Sequence, residues 1–314
     1  MDGISAALLA RIDGQLLLTD GGLETVMVFL EGLELPHFAS FSLFDSAAGR
    51  DALHRYYMGF LTEASVQQAG FVLDTATWRA SAGWGATMGL EAARIDEVNR
   101  TAVAMVRHLR DDFVPTDGPI LINGVIGPHG DAYAPDQVLS PGAAQDYHRR
   151  QVAVLADAGV DLVSAVTISS LGEAVGIAKA AMEVDLPVAL SFTVETDGHL
   201  ISGMSLQEAI DRTDAATDGA PLWYGINCAH PDHFRHVLSG DWVRRIGSLR
   251  ANASRQSHAQ LDEATVLDDG NPAELAQDYQ ALLQVLPGLL VVGGCCGTDL
   301  RHVAAIGQRC LHQH

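Results

Sequence analysis

Apolar positions fall along the chain in two alternating rhythms. Eight short segments rich in aliphatic and β-branched residues, each closing on small or polar ones, read as strands. They are Leu16–Gly22, Phe71–Thr77, Ile120–Gly127, Asp161–Ile168, Pro187–Val194, Trp223–Ala229, Arg244–Asn252 and Leu289–Cys296. Between them, apolar residues recur at three- and four-residue steps. Leu53, Tyr56, Tyr57, Phe60, Leu61 and Ala64 draw the first such stripe, the buried face of a helix. Ser140-Pro141 and Asn271-Pro272 each place a capping side chain before a proline at the first helical position, and Glu274 is expected to complete a capping box. Gly70 and Gly159, each after an alanine and ahead of a strand, are expected to end helices.

Strands alternating with helices pair in parallel, and eight of them close a barrel. The expected fold is therefore α/β, a single (β/α)8 TIM barrel. An open doubly wound sheet would need a glycine-rich phosphate turn after its first strand, which Asp20-Gly21-Gly22-Leu23-Glu24 matches poorly. No charged tail or Pro/Gly/Ser linker divides the 314 residues, so one domain is expected over 1–314.

Nineteen basic residues against thirty-nine acidic ones give a net charge of −20, which repels phosphate backbones and anionic lipid. Nucleic acid and membranes are accordingly excluded as expected partners. Met1-Asp2-Gly3 opens no export signal and no apolar run reaches membrane length, so the expected compartment is the cytoplasm. Thiols stay reduced there, and the four cysteines read as metal-binding, catalytic or core residues rather than as a disulfide framework.

Cys228 ends the sixth strand in Gly225-Ile226-Asn227-Cys228, and Cys295 and Cys296 end the eighth in Gly293-Gly294-Cys295-Cys296-Gly297. In a parallel barrel all strand C-termini open on one face, where active sites of this fold lie. Three thiols would thus converge at one mouth, and zinc suits such a soft set while keeping its fourth position open. The bland alternative, three small buried hydrophobes, suits one cysteine better than three at the ends of two strands. It does suit Cys310, on the last helix. Gly293, Gly294 and Gly297 are expected to let the backbone bend around the adjacent pair.

These cysteine segments, with Thr19-Asp20-Gly21-Gly22-Leu23-Glu24-Thr25, Gly124-Val125-Ile126-Gly127-Pro128-His129-Gly130 and Ser191-Phe192-Thr193, resemble those of the homocysteine S-methyltransferase family. That family includes betaine- and S-methylmethionine-dependent enzymes and the homocysteine-binding module of cobalamin-dependent methionine synthase. The resemblance implies an S-methyltransferase that moves a methyl group from a sulfonium or ammonium donor to a small thiol, homocysteine or a relative of it. It makes Cys228, Cys295 and Cys296 the ligands of a Zn2+ cofactor. Asp20, Gly21 and Gly22 match a turn whose amides and acid help hold the amino-acid substrate, and Thr75 a threonine near the substrate carboxylate. The implied partners are a thiol acceptor and a methyl donor, with a homodimer among the allowed assemblies.

The chain departs from the family where a glutamate at the end of strand four grips the substrate ammonium: Val166 stands there. A valine cannot pair with an ammonium, so homocysteine is expected to be a weak acceptor, or a thiol without that group preferred. Candidate contacts to acceptor or donor are Trp78, Arg79, Glu195 and Asn252. Arg79 either binds a carboxylate or points to solvent, and Glu195 either replaces the missing acid or is an exposed loop residue. Trp78, Phe38 and Trp84 offer a face for a methylated cation, although such aromatics more often pack. His230 and His233, at the start of the helix after Cys228, read as surface residues near the site. Asp197-Gly198-His199 begins like a cobalamin motif but has Ser202 where a glycine is needed, and reads as a polar turn. The alternative function is a zinc lyase or hydrolase, opposed by three thiolates that make bound water less acidic.

Overall fold

The computed structural model describes residues 3–113, 118–133 and 137–311. Its strands are β1 Leu17–Thr19, β2 Phe71–Asp74, β3 Ile120–Ile126, β4 Leu162–Ile168, β5 Val188–Phe192, β6 Tyr224–Asn227, β7 Ile246–Ala251 and β8 Val291–Gly294. Each lies inside its predicted segment. The predicted segments overrun mostly at their C-terminal ends, where the chain leaves the ladder to build the mouth. Neighbouring strands pair in parallel in sequence order, and β8 closes on β1 through Leu17–Val291 and Leu18–Val292. The fold is a (β/α)8 barrel.

The helices that follow the strands in turn are α1 Ala47–Val66, α2 Ala92–Asp112, α3 Pro141–Ala158, α4 Leu171–Met182, α5 Leu206–Thr217, the single turn α6 Pro231–Phe234, α7 Pro272–Leu283 and α8 Leu300–Cys310. The whole predicted stripe of α1, from Leu53 to Ala64, is buried. Ser140 caps α3 by accepting the Ala143 amide, and Gly159 ends it at φ 83°. Two boundary expectations change. Asn271 accepts the Ala273 and Glu274 amides, but Glu274 bonds to the Asn271 side-chain amide and to Arg255 instead of returning to the cap backbone. After α1 the left-handed residue is Gln68, at φ 55°. Gly70 serves close approach instead, since a Cβ there would lie 2.5 Å from Leu17.

A helix over Gly3–Ile12, which the strand-and-helix alternation did not anticipate, packs Leu8 and Ile12 against Leu17, Val72, Leu121, Leu162 and Val291. These are residues at the N-terminal ends of the strands, so the helix closes that end of the barrel. A surface cavity of about 270 Å³ lies at the same end, among Ser5, Met182, Thr217 and Arg245, away from the cysteines. No helix among the described residues is long and apolar enough to cross a membrane.

Tyr279 of α7 ties the core to the mouth. Its hydroxyl accepts the Ala251 amide at 2.7 Å and donates to the Gly293 carbonyl at 2.6 Å, bridging the ends of β7 and β8. Removing it leaves two buried backbone groups unpaired. Tyr279→Phe is expected to lower stability by roughly 1–3 kcal/mol, read from the urea midpoint at unchanged slope. An unchanged midpoint would show that the strand ends hold without it.

Candidate metal and substrate site

β6 and β8 flank β7, so their cysteines meet across its exit. Cys228 Sγ lies 2.9 Å from Cys295 Sγ and 3.4 Å from Cys296 Sγ. The thiols are free, Cys228 buried and the other two half-buried. The backbone leaving β7 holds both cysteine loops: the Asn252 side-chain amide donates to the Cys228 carbonyl at 3.0 Å, and the Ala253 amide to the Cys296 carbonyl at 3.1 Å.

Cys228 itself is left-handed, at φ 58°, a conformation that costs a residue with a Cβ and persists only where its surroundings fix it. Beside it, Asn227 accepts the Thr167 amide at 2.8 Å and donates to Thr167 Oγ1 at 2.9 Å. That pair pins a bulge in β4, where Thr167 is also left-handed, at φ 63°. On the other side, Gly22 presses on the Cys295 carbonyl, and a Cβ there would lie 2.4 Å from that oxygen. Of the three glycines expected to bend the β8 exit, only Gly297 has positive φ, at 78°. Gly293 and Gly294 stay in the extended strand and provide room beside Thr19 and Thr298.

Three sulfurs this close cannot all ionise unaided. Cys295 is the favoured thiolate: the Cys228 and Cys296 thiols hydrogen-bond to it, and the Arg250 guanidinium and Asn227 amide add to that against the cost of burial. The same contacts push Cys296 up, and Cys228 is raised chiefly by its bond to Cys295. A cation among the sulfurs would let the others ionise as well.

Beneath the sulfurs lies a buried charge cluster. Arg250 of β7 pairs with Asp20, just past β1, and with Asp74, which ends β2, while its Nε donates to the Gly294 carbonyl at 3.1 Å. Burial raises the Asp20 carboxyl to about 7, against the opposing pull of Arg250. A small cavity of about 20 Å³ in the barrel interior is lined by Asp74, Asn123, Ser164, Val166, Ser191 and Arg250 among others. Val166 therefore faces inward.

Asp20 thus faces an arginine of its own chain. The Gly22 amide donates to the Thr298 carbonyl at 3.0 Å, and the Gly21 carbonyl accepts the Tyr56 hydroxyl at 3.0 Å. Thr75 Oγ1 accepts the Val125 amide at 3.0 Å and bonds Thr77 Oγ1 at 2.6 Å, so it locks the exits of β2 and β3 together. Arg79 does not extend into solvent: its guanidinium stacks over Trp84 at 4.0 Å and Trp78 at 4.6 Å and donates to the His37 carbonyl. It fills the aromatic face expected to await a methylated cation, and Phe38 is exposed. Glu195 is half-buried, in a turn closed by its amide donating to the His199 carbonyl at 2.8 Å. Asp197-Gly198-His199 is that turn.

His230 and His233 are buried, not on the surface, because α6 tucks under the β7 exit. Burial lowers the His230 pKa to about 4. With Asp232 and Asp278 it forms a second group of metal-ligating type. Its Nδ1 accepts the Asp232 amide at 3.1 Å, so a neutral ring keeps its proton on Nε2. Arg235 and Arg255 already neutralise the acids. One Asp278 oxygen is left without a hydrogen-bond partner, 4.0 Å from His230 Nε2.

Sequence reasoning gave no role to Arg250, Asp74, Glu24, Tyr133 or His258. Tyr133 stacks on His258 at 4.0 Å and lies close enough to Cys228 to influence its thiol. Arg250 carried a signal: with Ser248 it occupies inward positions of a barrel strand, where a charge requires a partner.

A closed barrel with three thiols gathered at the C-terminal ends of its strands defines a barrel protein able to hold a thiophilic ion. The family model described as homocysteine S-methyltransferase matches residues 17–310, and the chain belongs to that family, one of methyltransferases. It is 27% identical over 330 residues to homocysteine S-methyltransferase 3 of Zea mays, covering 96% of this chain and 91% of that one. To the homocysteine S-methyltransferase of Escherichia coli it is 27% identical over 247 residues, 75% of this chain and 78% of that one. The E. coli homocysteine methyltransferase MmuM in its oxidized form superposes with a TM-score of 0.77 at 25% identity, over 98% of this chain and 100% of that one. Its metallated form gives 0.74 at 24%, with the same coverage. Nothing in these likenesses favours a lyase or hydrolase.

Gly22→Ala is expected to drive the first-strand turn off the Cys295 loop and to weaken uptake of a thiophilic metal at least tenfold. Competition with a chromophoric chelator reads this, with circular dichroism as the control for the barrel. Unaltered uptake would mean that the contact does not position Cys295.

Proposed function

We propose that the chain, read as one barrel domain, transfers a methyl group from a sulfonium or quaternary ammonium donor to the thiol of homocysteine, with zinc on Cys228, Cys295 and Cys296. The convergence of three sulfurs at the barrel mouth carries this reading, together with family membership. The donor set fits zinc: thiolates bind it at ~2.3 Å, which puts sulfurs about 3.8 Å apart in a tetrahedron. Only a small outward movement separates that from the 2.9 and 3.4 Å seen between these sulfurs. Among the described residues no histidine or carboxylate joins the three, which suits an open fourth position and not a closed structural site. The E. coli relative also exists in a metallated form.

When bound, zinc would accept the substrate sulfur and hold it as thiolate at neutral pH. The chain's own residues fix the geometry. Asn252 and Asn227 hold the Cys228 turn, and Gly22 and Thr25 hold the Cys295–Gly297 loop, with the Gly297 amide donating to Thr25 Oγ1 at 3.2 Å. In the transfer a bond forms from the acceptor sulfur to the methyl carbon as the donor's bond to it breaks, and the donor's onium atom leaves as a neutral sulfide or tertiary amine. Holding the two reactants near contact is a large part of such catalysis. Three free thiols also call for a reducing compartment, which supports a cytoplasmic setting.

Metal analysis tests the reading. One zinc per chain is expected, with tight binding lost in Cys228→Ala, Cys295→Ala and Cys296→Ala and kept in Cys310→Ala, whose thiol is buried on α8. Full occupancy in the Cys295→Ala/Cys296→Ala double variant would remove the site. The zinc-loaded wild type should methylate homocysteine from at least one donor in a panel of sulfonium and quaternary ammonium compounds.

A further inference from the structure

The acceptor reading leaves a gap. An α-amino-acid thiol carries an ammonium and a carboxylate, yet the strand-four position is Val166, and Asp20 is paired with Arg250. Two other charged side chains stand at the mouth. Glu24 lies between Gly22, which touches the Cys295 carbonyl, and Thr25, whose hydroxyl accepts the Gly297 amide. Its carboxylate is half-buried, with Oε1 accepting the Ser40 hydroxyl at 2.8 Å. Burial is the main influence raising its pKa, and the charge of Cys295 adds to it, so the carboxylate lies within electrostatic reach of the sulfur site.

Arg79 is the other. Its guanidinium is held flat by Trp78 and Trp84, and of its five N–H groups one meets the His37 carbonyl. Burial lowers its pKa, against the charges of Asp131 first and then of Glu24 and Tyr133, and Tyr133 also influences the Cys228 thiol. Glu24 and Arg79 feel each other without forming an ion pair, so Glu24 is not consumed by Arg79. One short segment holds both: the His37 carbonyl takes Arg79, and the Ser40 hydroxyl takes Glu24. That segment is strained, with His37 and Phe38 left-handed in succession at φ 54° and 55°. Two adjacent strained residues persist only where their surroundings over-determine them, a pattern that clusters at ligand clamps.

We propose that Glu24 and Arg79 are the anchors for the charged ends of an α-amino-acid thiol: Glu24 receives its ammonium, Arg79 its carboxylate, and the thiol lies toward the three cysteines. This rests on the thiol-acceptor reading above and replaces its missing acid. Glu24 takes the part expected of the residue at 166, and homocysteine becomes a good acceptor in spite of Val166.

The test is calorimetric binding to the zinc-loaded full chain, which needs no methyl donor. Homocysteine is compared with 4-mercaptobutyrate, which lacks the ammonium, and with 3-mercaptopropylamine, which lacks the carboxylate. In Glu24→Gln, preference for homocysteine over 4-mercaptobutyrate should fall at least tenfold, because the variant loses the ammonium's partner and relieves an unpaired carboxylate. In Arg79→Met, preference for homocysteine over 3-mercaptopropylamine should fall by a similar factor, with partial recovery in Arg79→Lys. Zinc content shows that each variant keeps its site. A wild type that binds homocysteine, with either preference shifted less than twofold, overturns the anchors and leaves the methyltransfer reading intact. A zinc-loaded wild type that binds none of the three thiols overturns both.

Discussion

Like charges cannot be crowded without a cation, and this chain crowds three potential thiolates at one point. The sulfurs of Cys228, Cys295 and Cys296 are brought together by strands 68 residues apart in sequence. Nothing local to either cysteine segment does this. It follows from barrel closure: β8 returns to β1, and the Gly294 amide donates to the Asp20 carbonyl at 2.8 Å. Backbone contacts hold the segments that carry the sulfurs. The Asn252 amide takes the Cys228 carbonyl, Thr298 takes the Cys295 carbonyl through its amide and hydroxyl, and Ala253 takes that of Cys296. Backbone carbonyls fixed in this way keep the three sulfurs at one point, and a cation there would let them ionise together.

The charges under the sulfurs obey the same rule. Two buried carboxylates facing each other would be costly, and Arg250 between Asp20 and Asp74 makes them tolerable. The triad carries one net negative charge when both acids are ionised. The raised pKa of Asp20, about 7, reports that the second ionisation is poorly supported by the buried surroundings. Arg250 also aids ionisation of Cys295. The floor of the site and its sulfur roof are therefore one electrostatic unit, and a change at β7 would be felt in the thiols without touching them.

This division explains what the sequence made legible. The strands were readable because β-rich apolar runs and helical stripes are local signals, and all eight runs enclose their strands. The cysteine cluster was readable because a parallel barrel sends every strand end to one face, so position within a strand decides location. The acid–base pairings were not, since Arg250 meets Asp20 across 230 residues and Asp74 across 176, and barrel register alone selects those partners. The setting of Arg79 was hidden for a related reason. Nothing in Thr77-Trp78-Arg79-Ala80 indicates that Trp84, on the next short helix, turns back to cover the guanidinium.

Arg250 and Val166 share one electrostatic logic. They line the same small interior cavity together with Asp74. A glutamate at 166 would bring a third carboxylate into a space that already holds Asp74 and adjoins Asp20, with a single guanidinium among them. The buried surroundings already support the second ionisation poorly, so a third would leave one acid protonated or leave a buried charge unpaired. Valine removes that conflict and gives up the acid at that depth. Any acid that meets a cationic ligand must then stand outside the triad, near the sulfurs yet nearer solvent. Glu24, on the turn that presses against Cys295 and with a serine hydroxyl fixing one oxygen, meets those conditions.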